Sequence, residues 1–570
     1  MSNRVSRAFL VMAAVFVALA VAGTVRHYSP VPYWDMWDGY LGFFVPASDG
    51  DLGAWWALHN EHRIYLGRLL FWIDLAWFKG LALFLLIVVY ICVALTWWLF
   101  ERMRRELAPR ALSAFLPFFL AAWLFSWRQW ENLEWGFQSA FLLSQLLPLA
   151  AFYLMHRATL PQSHSWLPFA GAVLCGLLAP GGTAAGLAAL PLMTVYAILV
   201  RMRWWRVALL AILTLSFTWL YFRGYQTPPE HSSVTDSARH HPLGMIAFFL
   251  LYMGGPFRAF GNHDSSHLLV ALVGGMVLCA GIFWTASAAR FAWRIVPDAR
   301  RSTLRMALLA FLAYVAVGAV GTAGGRLILG LSAAVSSRYS TPVLSGWAAL
   351  ILLYLPALES LDRRMHGRLW MAFLVLLVAL LPQQLTALDS QVHVLFERRV
   401  AALALTLGVR DAVQIENVFP RPDEALALAK EAVKRHLSVF GLPPFAGARE
   451  IMGTTASVQP TEHVCRVELT ALEQIDGEPD YVRVMGRLDG WPSSKTASLR
   501  LLDADRRVIG IALEVPASAL PGGEPGRADL AFKGYLHHPT GEDGIQMLDP
   551  ESGCDATVAL LNPASPILDR

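Results

Sequence analysis

Long apolar runs separated by short polar segments fill the first two thirds of the chain, and the last third lacks them. A helix needs about 20 predominantly apolar residues to cross the hydrocarbon core of a bilayer, and fewer where its ends snorkel. Runs near that length lie at 8–23, 80–99, 112–127, 138–155, 166–179, 183–200, 207–222, 267–286, 306–321, 342–357 and 370–386. The pattern predicts a polytopic α-helical membrane protein with about eleven transmembrane helices. Gly181-Gly182 separates the fifth and sixth runs, which leaves two short spans or one broken helix as alternatives. The first run follows Arg4 and Arg7 in the manner of a signal peptide. The many later spans and the polar loop after it favour an uncleaved first helix. Two shorter stretches, 65–78 and 244–260, carry the pattern of amphipathic helices lying in the membrane interface.

Beyond residue 386 the pattern changes. Residues 387–455 are charged and have helical periodicity, which predicts a helical linker region. From 456 onward, alternating apolar and polar positions predict strands at 463–469, 481–485, 497–502, 508–515, 528–532 and 557–561. Asp489-Gly490, Pro521-Gly522-Gly523 and Thr540-Gly541 supply turns between them. Residues 456–570 therefore read as a small β-sandwich, and the C-terminal domain as a whole as α+β, after a transmembrane domain at 1–386.

Charge orients this path. Hydrophobic residues form 56% of the chain and charged residues 15%, with a mean hydropathy of +0.47. The basic residues cluster at 102–110, 201–206, 290–305 and 363–368, between alternate spans. With a cytoplasmic N-terminus every cluster falls on the cytoplasmic side, as the positive-inside rule requires. The loops 24–79, 127–137, 223–266 and 322–341, and all that follows 386, then lie on the extracytoplasmic face. In a bacterial inner membrane that face is the periplasm. The net charge of +4 is too small and too dispersed for a nucleic-acid partner. No Walker loop, dinucleotide fingerprint or zinc-type cysteine spacing is present, against an ATP-driven pump or a nicotinamide enzyme. Of five cysteines, Cys92, Cys175 and Cys279 fall in spans. Cys465 and Cys554 flank the β-domain, and in an oxidising periplasm they would form a disulfide; two free buried thiols are the alternative.

The dense polar constellations all fall in the outer loops. Asp35 and Asp38, among Tyr33, Trp34 and Trp37, project from one face of a helical turn. Acids among aromatics at a membrane surface are costly unless paired, hydrogen-bonded or bound to a cation. They read as a catalytic base and its partner, with a capping or salt-bridging pair as the alternative. His59, Glu61 and Arg63 continue the same loop, without the histidine spacing of a helical zinc site, and suit a substrate-contacting rim. Arg128, Glu131, Asn132, Glu134 and Gln138, interleaved with Trp127, Trp130 and Trp135, suit a sugar, whose hydroxyls need donors and acceptors and whose ring faces stack on indoles. His263 and Asp264 form a third polar group. Arg258, Arg326 and Arg338-Tyr339 lie on the side that the positive-inside rule leaves poor in positive charge. A bound phosphate or a paired carboxylate would explain each.

This layout resembles the GT-C superfamily of membrane glycosyltransferases: many spans, acidic residues just after the first helix, interfacial helices in the outer loops and a soluble outer C-terminal domain. The resemblance is architectural and covers essentially the whole chain. It implies transfer of a sugar from a polyprenyl-phosphate carrier to a glycan, lipid or protein acceptor among the membrane lipids. It implies the base, or a support for a divalent cation such as Mg or Mn, at Asp35 or Asp38. It also implies lipid-phosphate binding at Arg258, Arg326 and Arg338. The pair here is Asp-x-x-Asp, a departure from the Asp-x-Asp or adjacent acids of several branches. A polysaccharide polymerase or ligase, and a lipid-linked sugar flippase or transporter, are the rival readings.

Overall fold

The apolar runs fold as helices in the computed structural model, which describes residues 2–108, 112–160, 166–226, 234–259, 264–295, 299–456, 465–491, 498–519, 530–537 and 545–558. The chain forms two units. One comprises residues 1–28, 52–71 and 83–389, the other residues 29–51, 72–82 and 390–570.

In the first unit, seven helices among the described residues are long and apolar enough to cross a membrane. They are Asn3–His27, Leu83–Leu107, Gly136–Arg157, Trp204–Phe222, His267–Arg290, Thr303–Leu329 and Trp370–Leu388. An eighth crossing is available if Ser337–Leu353 and Leu355–Arg364, bent by 64°, count as one. Four of the eleven apolar runs form shorter or broken helices. Run 112–127 yields only the nine-residue helix Leu116–Leu124, about 14 Å long against a core of about 30 Å. Runs 166–179 and 183–200 become the shorter helices Trp166–Gly181 and Ala184–Leu199. They part at Gly182, where a Cβ would strike the carbonyl of Ala140, so the chain passes helix Ser139–Arg157 too closely for any side chain. Run 342–357 breaks because Pro356, in the first turn of Leu355–Arg364, has no N–H to continue the ladder.

Burial separates central from peripheral helices. Of the apolar window in Gly136–Arg157, 72% is buried, against 17% in Trp204–Phe222. Helix Pro242–Gly254 covers most of the expected amphipathic stretch 244–260 and packs on Asp264–Ile295. Gly254 and Gly275 meet backbone atoms of Ala271 and Leu250 there, so two glycines set the closeness of that pair.

The second unit joins distant parts of the sequence. Trp37 is fully buried, its ring 6.3 Å from that of Phe419 and 6.2 Å from that of Phe440. The amide of Trp34 donates to the carbonyl of Val418 (2.8 Å), and that of Ser438 to Lys79 (3.0 Å). Asp74, fully buried, accepts from Tyr40 Oη (2.5 Å) and from the amide of Ala82 (3.0 Å). These bonds tie segments 29–51 and 72–82 into the same unit as the C-terminal region.

Strands β1 (Arg466–Ile475), β2 (Glu478–Asp489), β3 (Ser498–Leu502), β4 (Val508–Pro516), β5 (Leu530–His537), β6 (Ile545–Leu548) and β7 (Asp555–Val558) form one antiparallel sheet in the order β1-β2-β5-β4-β3-β6-β7. The expectation of a two-sheet sandwich is thus corrected: a single sheet curls on itself until β1 and β7 lie against each other. A disulfide joins Cys465 to Cys554, the residues just before those two edge strands. The curl has a cause in Gly486, Gly510 and Gly534, where a Cβ would collide with a neighbouring strand or with the Phe532 ring. Inside lie Val484, Leu488, Leu499, Leu501, Phe532, Leu536 and Met547. Helices of 387–455 cap the sheet through buried charge: Asp411 takes two bonds from Arg483 (2.6 and 2.8 Å) and one from Tyr535 Oη (2.8 Å), and Lys533 meets Glu397 at 2.8 Å. Burial and the Asp411 carboxylate beside it push the Tyr535 hydroxyl well above the usual range.

Candidate functional site

Two pairs of arginines in the helical unit differ in what they hold. Arg63, buried, donates through Nε to the carbonyl of Tyr221 (2.7 Å), through Nη2 to Arg223 (2.7 Å) and through Nη1 to Trp56 (2.5 Å). It thereby caps the carbonyl end of helix Trp204–Phe222, whose last carbonyls have no intrahelical donor. Arg68 donates to the carbonyls of Ala57 (2.7 Å) and Trp55 (3.2 Å). Burial, with the charge of Arg63 beside it, brings its pKa down to about 10. Both side chains hold backbone.

Arg128 and Arg258 differ. Arg128 sits in the turn Trp127–Gln129, buried, with its Nε 3.4 Å from the Gly255 carbonyl and Nη2 3.4 Å from that of Val335. Arg258 Nη1 reaches the same Val335 carbonyl at 3.5 Å. Contacts of that length are weak. Burial, and then the charge of Arg258, lower the pKa of Arg128 to about 10. Among the described residues neither arginine has a carboxylate partner. Two guanidinium groups thus converge on one carbonyl, where an anion would relieve their repulsion.

Beside them lie two ion pairs. Glu131 Oε2 accepts from Ser337 Oγ (2.6 Å), the amide of Arg338 (3.0 Å) and Ser336 Oγ (3.2 Å), with Arg338 Nε at 3.7 Å. Asn132 Nδ2 donates to the Arg338 carbonyl and to Thr341 Oγ1, both at 2.7 Å. Together they clamp the turn Ser337–Tyr339 onto helix Trp130–Glu134. Glu61 pairs with Arg326 at 3.3 Å and with His62 Nε2 at 3.5 Å. His62 Nδ1 accepts from the amide of Ala184 (3.2 Å), which places the ring proton on Nε2, facing Glu61. Tyr339 stands in the field of all four groups, Arg338, Arg326, Glu61 and Glu131, and stacks on Tyr252 at 5.2 Å. His59 pairs its backbone with His62 across a short turn, and its ring lies 5.4 Å from that of Phe137. Glu134 is bonded to His27, and Gln138 is buried in the turn Gly136–Gln138.

Of the residues singled out in the sequence, the helical unit therefore gathers Arg128 with Arg258, and Glu61, Glu131, Asn132, Arg326, Arg338 and Tyr339 around one another. It commits Arg63 to helix capping. His263 lies outside the described residues, and the side chain of Asp264 is not among those described. Sequence reasoning missed Ser336, Ser337 and the Val335 carbonyl, none of which carries a signal in a lone loop.

In the second unit, Asp35 and Asp38 lie on consecutive turns, Trp34–Met36 and Trp37–Leu41, both half-buried. Oxygens of the two carboxylates come within 4.8 Å of each other, close enough for one cation to serve both. Asp38 Oδ2 accepts from Arg421 Nη2 (2.8 Å), and Oδ1 from the amide of Gly39 (2.8 Å). Arg421 lies over the Phe419 ring, 4.7 Å from its centroid, and pairs also with Glu424 at 2.7 Å. Its position, 383 residues from Asp38, gave the sequence no means of pairing them.

No protein-family model matches the chain, and neither a curated protein nor a solved structure is significantly similar to it.

Proposed function

We propose that this chain is an inverting membrane glycosyltransferase that moves a sugar from a polyprenyl-phosphate carrier to a cell-envelope glycan, lipid or protein acceptor on the extracytoplasmic face. The observation that carries the reading is the Arg128–Arg258 pair: two guanidiniums without a carboxylate partner among the described residues, held against one carbonyl in a unit of membrane-length helices. A phosphate is the anion that such paired forks suit, and a lipid-linked phosphate is the one met at a membrane. Arg326 and Arg338 share their charge with Glu61 and Glu131 and suit the sugar side of the same donor.

In the proposed reaction a carboxylate takes the proton of the acceptor hydroxyl as its oxygen attacks the anomeric carbon. The bond from that carbon to the carrier phosphate breaks, and the arginines stabilise the charge on the departing phosphate. Asp35, with Asp38 beside it, is assigned the base, and Mg or Mn the role of bridging cation if one serves the pair. The proposal includes a path of eleven crossings, with the bent pair as one and the short helices Leu116–Leu124, Trp166–Gly181 and Ala184–Leu199 as three. The N-terminus is cytoplasmic and the C-terminal unit periplasmic.

Full-length protein in nanodiscs should retain a polyprenyl-phosphate sugar detectable by mass spectrometry, and should transfer it to an acceptor. Absence of any bound polyprenyl phosphate, with no transfer from a panel of such donors, would overturn the reading. A flippase is the second reading, favoured by the polar side chains Gln129, Gln145, Ser144 and Thr341 buried within the helical unit. Movement of the lipid-linked sugar across a vesicle membrane without transfer would select it.

A further inference from the structure

Within the helical unit, a small cavity is lined by Cys92, Thr96, Gln129, Gln145, Thr341 and Ser345 with apolar neighbours. Thr96 and Gln145 lie on the membrane-length helices Leu83–Leu107 and Gly136–Arg157, and Thr341 and Ser345 on Ser337–Leu353. Gln145 is 95% buried by its 5% exposure, and its Nε2 donates to Ser144 Oγ (3.2 Å), yet its Oε1 has no hydrogen-bond partner. A buried amide oxygen left bare is rare in a folded protein, and a helical bundle offers no solvent to compensate.

The other lining groups define what would satisfy it. Thr341 Oγ1 donates to Gln129 Oε1 (2.5 Å) and accepts from Asn132, and Thr96 Oγ1 donates to the Cys92 carbonyl (2.8 Å). Their protons are spent and their remaining capacity is to accept. A guest must therefore donate at Gln145 Oε1, which disfavours an anion there. No carboxylate lines the cavity, so a cation there would be an uncompensated charge in an apolar bundle, far costlier than a neutral guest. The space is about that of one small molecule of solvent.

We infer that this cavity is a binding site for one ordered water, which donates to Gln145 Oε1 and to a lining hydroxyl. The water joins two hydrogen-bonded strings. One runs from the Ser337–Tyr339 turn through Asn132, Thr341 and Gln129; the other continues from Gln145 to Ser144 and on to Thr183, whose Oγ1 lies 3.1 Å from that of Ser144. The result is a hydrated polar seam across three helices. It does not depend on the glycosyl-transfer reading.

The test is an electron cryomicroscopy map of the full chain in nanodiscs at a resolution that shows solvent, for the parent and for Gln145→Met. Thermal unfolding of the parent in sodium, potassium and choline chloride accompanies it. The expected result is a peak about 2.7–3.2 Å from Gln145 Oε1 in the parent, its loss in Gln145→Met, and equal unfolding midpoints in the three salts. A parent map with no peak there overturns the inference. So does a peak about 2.4 Å from its oxygen neighbours with a midpoint that rises in sodium alone, which would make the guest a cation. The parent map decides even if the variant fails to fold.

Discussion

Arg63 and Arg258 lie in the same helical unit, among aromatic rings and backbone carbonyls, yet they have opposite chemical standing. Arg63 gives its guanidinium to three carbonyls at 2.5–2.7 Å and finishes a helix. Arg258 shares one carbonyl at 3.5 Å with the equally underused Arg128. Burial does not separate the two cases, since Arg63 and Arg128 are both buried. The length and number of the bonds do. An arginine whose donors are consumed by short backbone bonds is part of the scaffold, whereas two that repel each other over long contacts retain the capacity to hold an anion.

The largest effect expected concerns whether that capacity serves chemistry. If the acidic pair supplies the base, Asp35→Asn or Asp38→Asn should lower sugar transfer by roughly 100- to 10,000-fold while the protein stays folded. Both variants turning over at the parent rate in a reconstituted assay would remove the acidic pair from the mechanism and move the search to Glu61.

The next prediction tests the scaffold side. Arg63→Ala strips three carbonyls of their donor and should cost on the order of 3 kcal/mol of stability. That loss should appear as a lowered thermal midpoint, with donor affinity of the folded fraction unchanged. A variant that unfolds like the parent but binds donor weakly would invert the comparison.

Arg258→Ala should do the reverse, weakening polyprenyl-phosphate binding by about tenfold or more through loss of a charge-assisted contact. Its unfolding midpoint should stay at or above that of the parent, because a like charge beside Arg128 is gone. Unchanged binding, measured by native mass spectrometry or lipid competition, would leave the pair without a ligand.

The smallest effect belongs to Arg128. Its pKa, lowered to about 10, means that folding disfavours its charged form. The unfolded chain keeps that proton longer, so this group makes stability rise as pH climbs through 10 towards its ordinary value, and contributes a penalty below. Arg128→Met should therefore raise ligand-free stability by about 1 kcal/mol and abolish the further rise that added phosphate ligand produces. A fall in the ligand-free midpoint would show that the long contacts of Arg128 hold the fold after all.

Much of the architecture was legible because it is local. Apolar length located seven membrane-length helices, and period-two alternation located six of the seven strands, all but β6. Where the reading failed, a partner distant in sequence decided. The pair around Gly182 falls short of full spans because helix Ser139–Arg157 passes too close, whereas the bend at Pro356 had a local signal. One curled sheet replaced two stacked ones because glycines on three strands fit against particular neighbours. Residue types in the candidate site were readable from the scarcity of charge around them. Which arginine holds backbone and which faces another arginine depends on carbonyls such as Tyr221 and Val335, and carbonyls have no letter in a sequence.

Trp37 and its partners Phe419 and Phe440 carry a consequence for the making of the protein. A ribosome adds about 5–20 residues per second, so Trp37 exists for on the order of tens of seconds before Phe419 does. Throughout that interval Trp37, fully buried in the finished unit, lacks the two rings that flank it. The earliest loop is thus among the last parts to settle, and the nascent chain must be shielded until its final third has been translated.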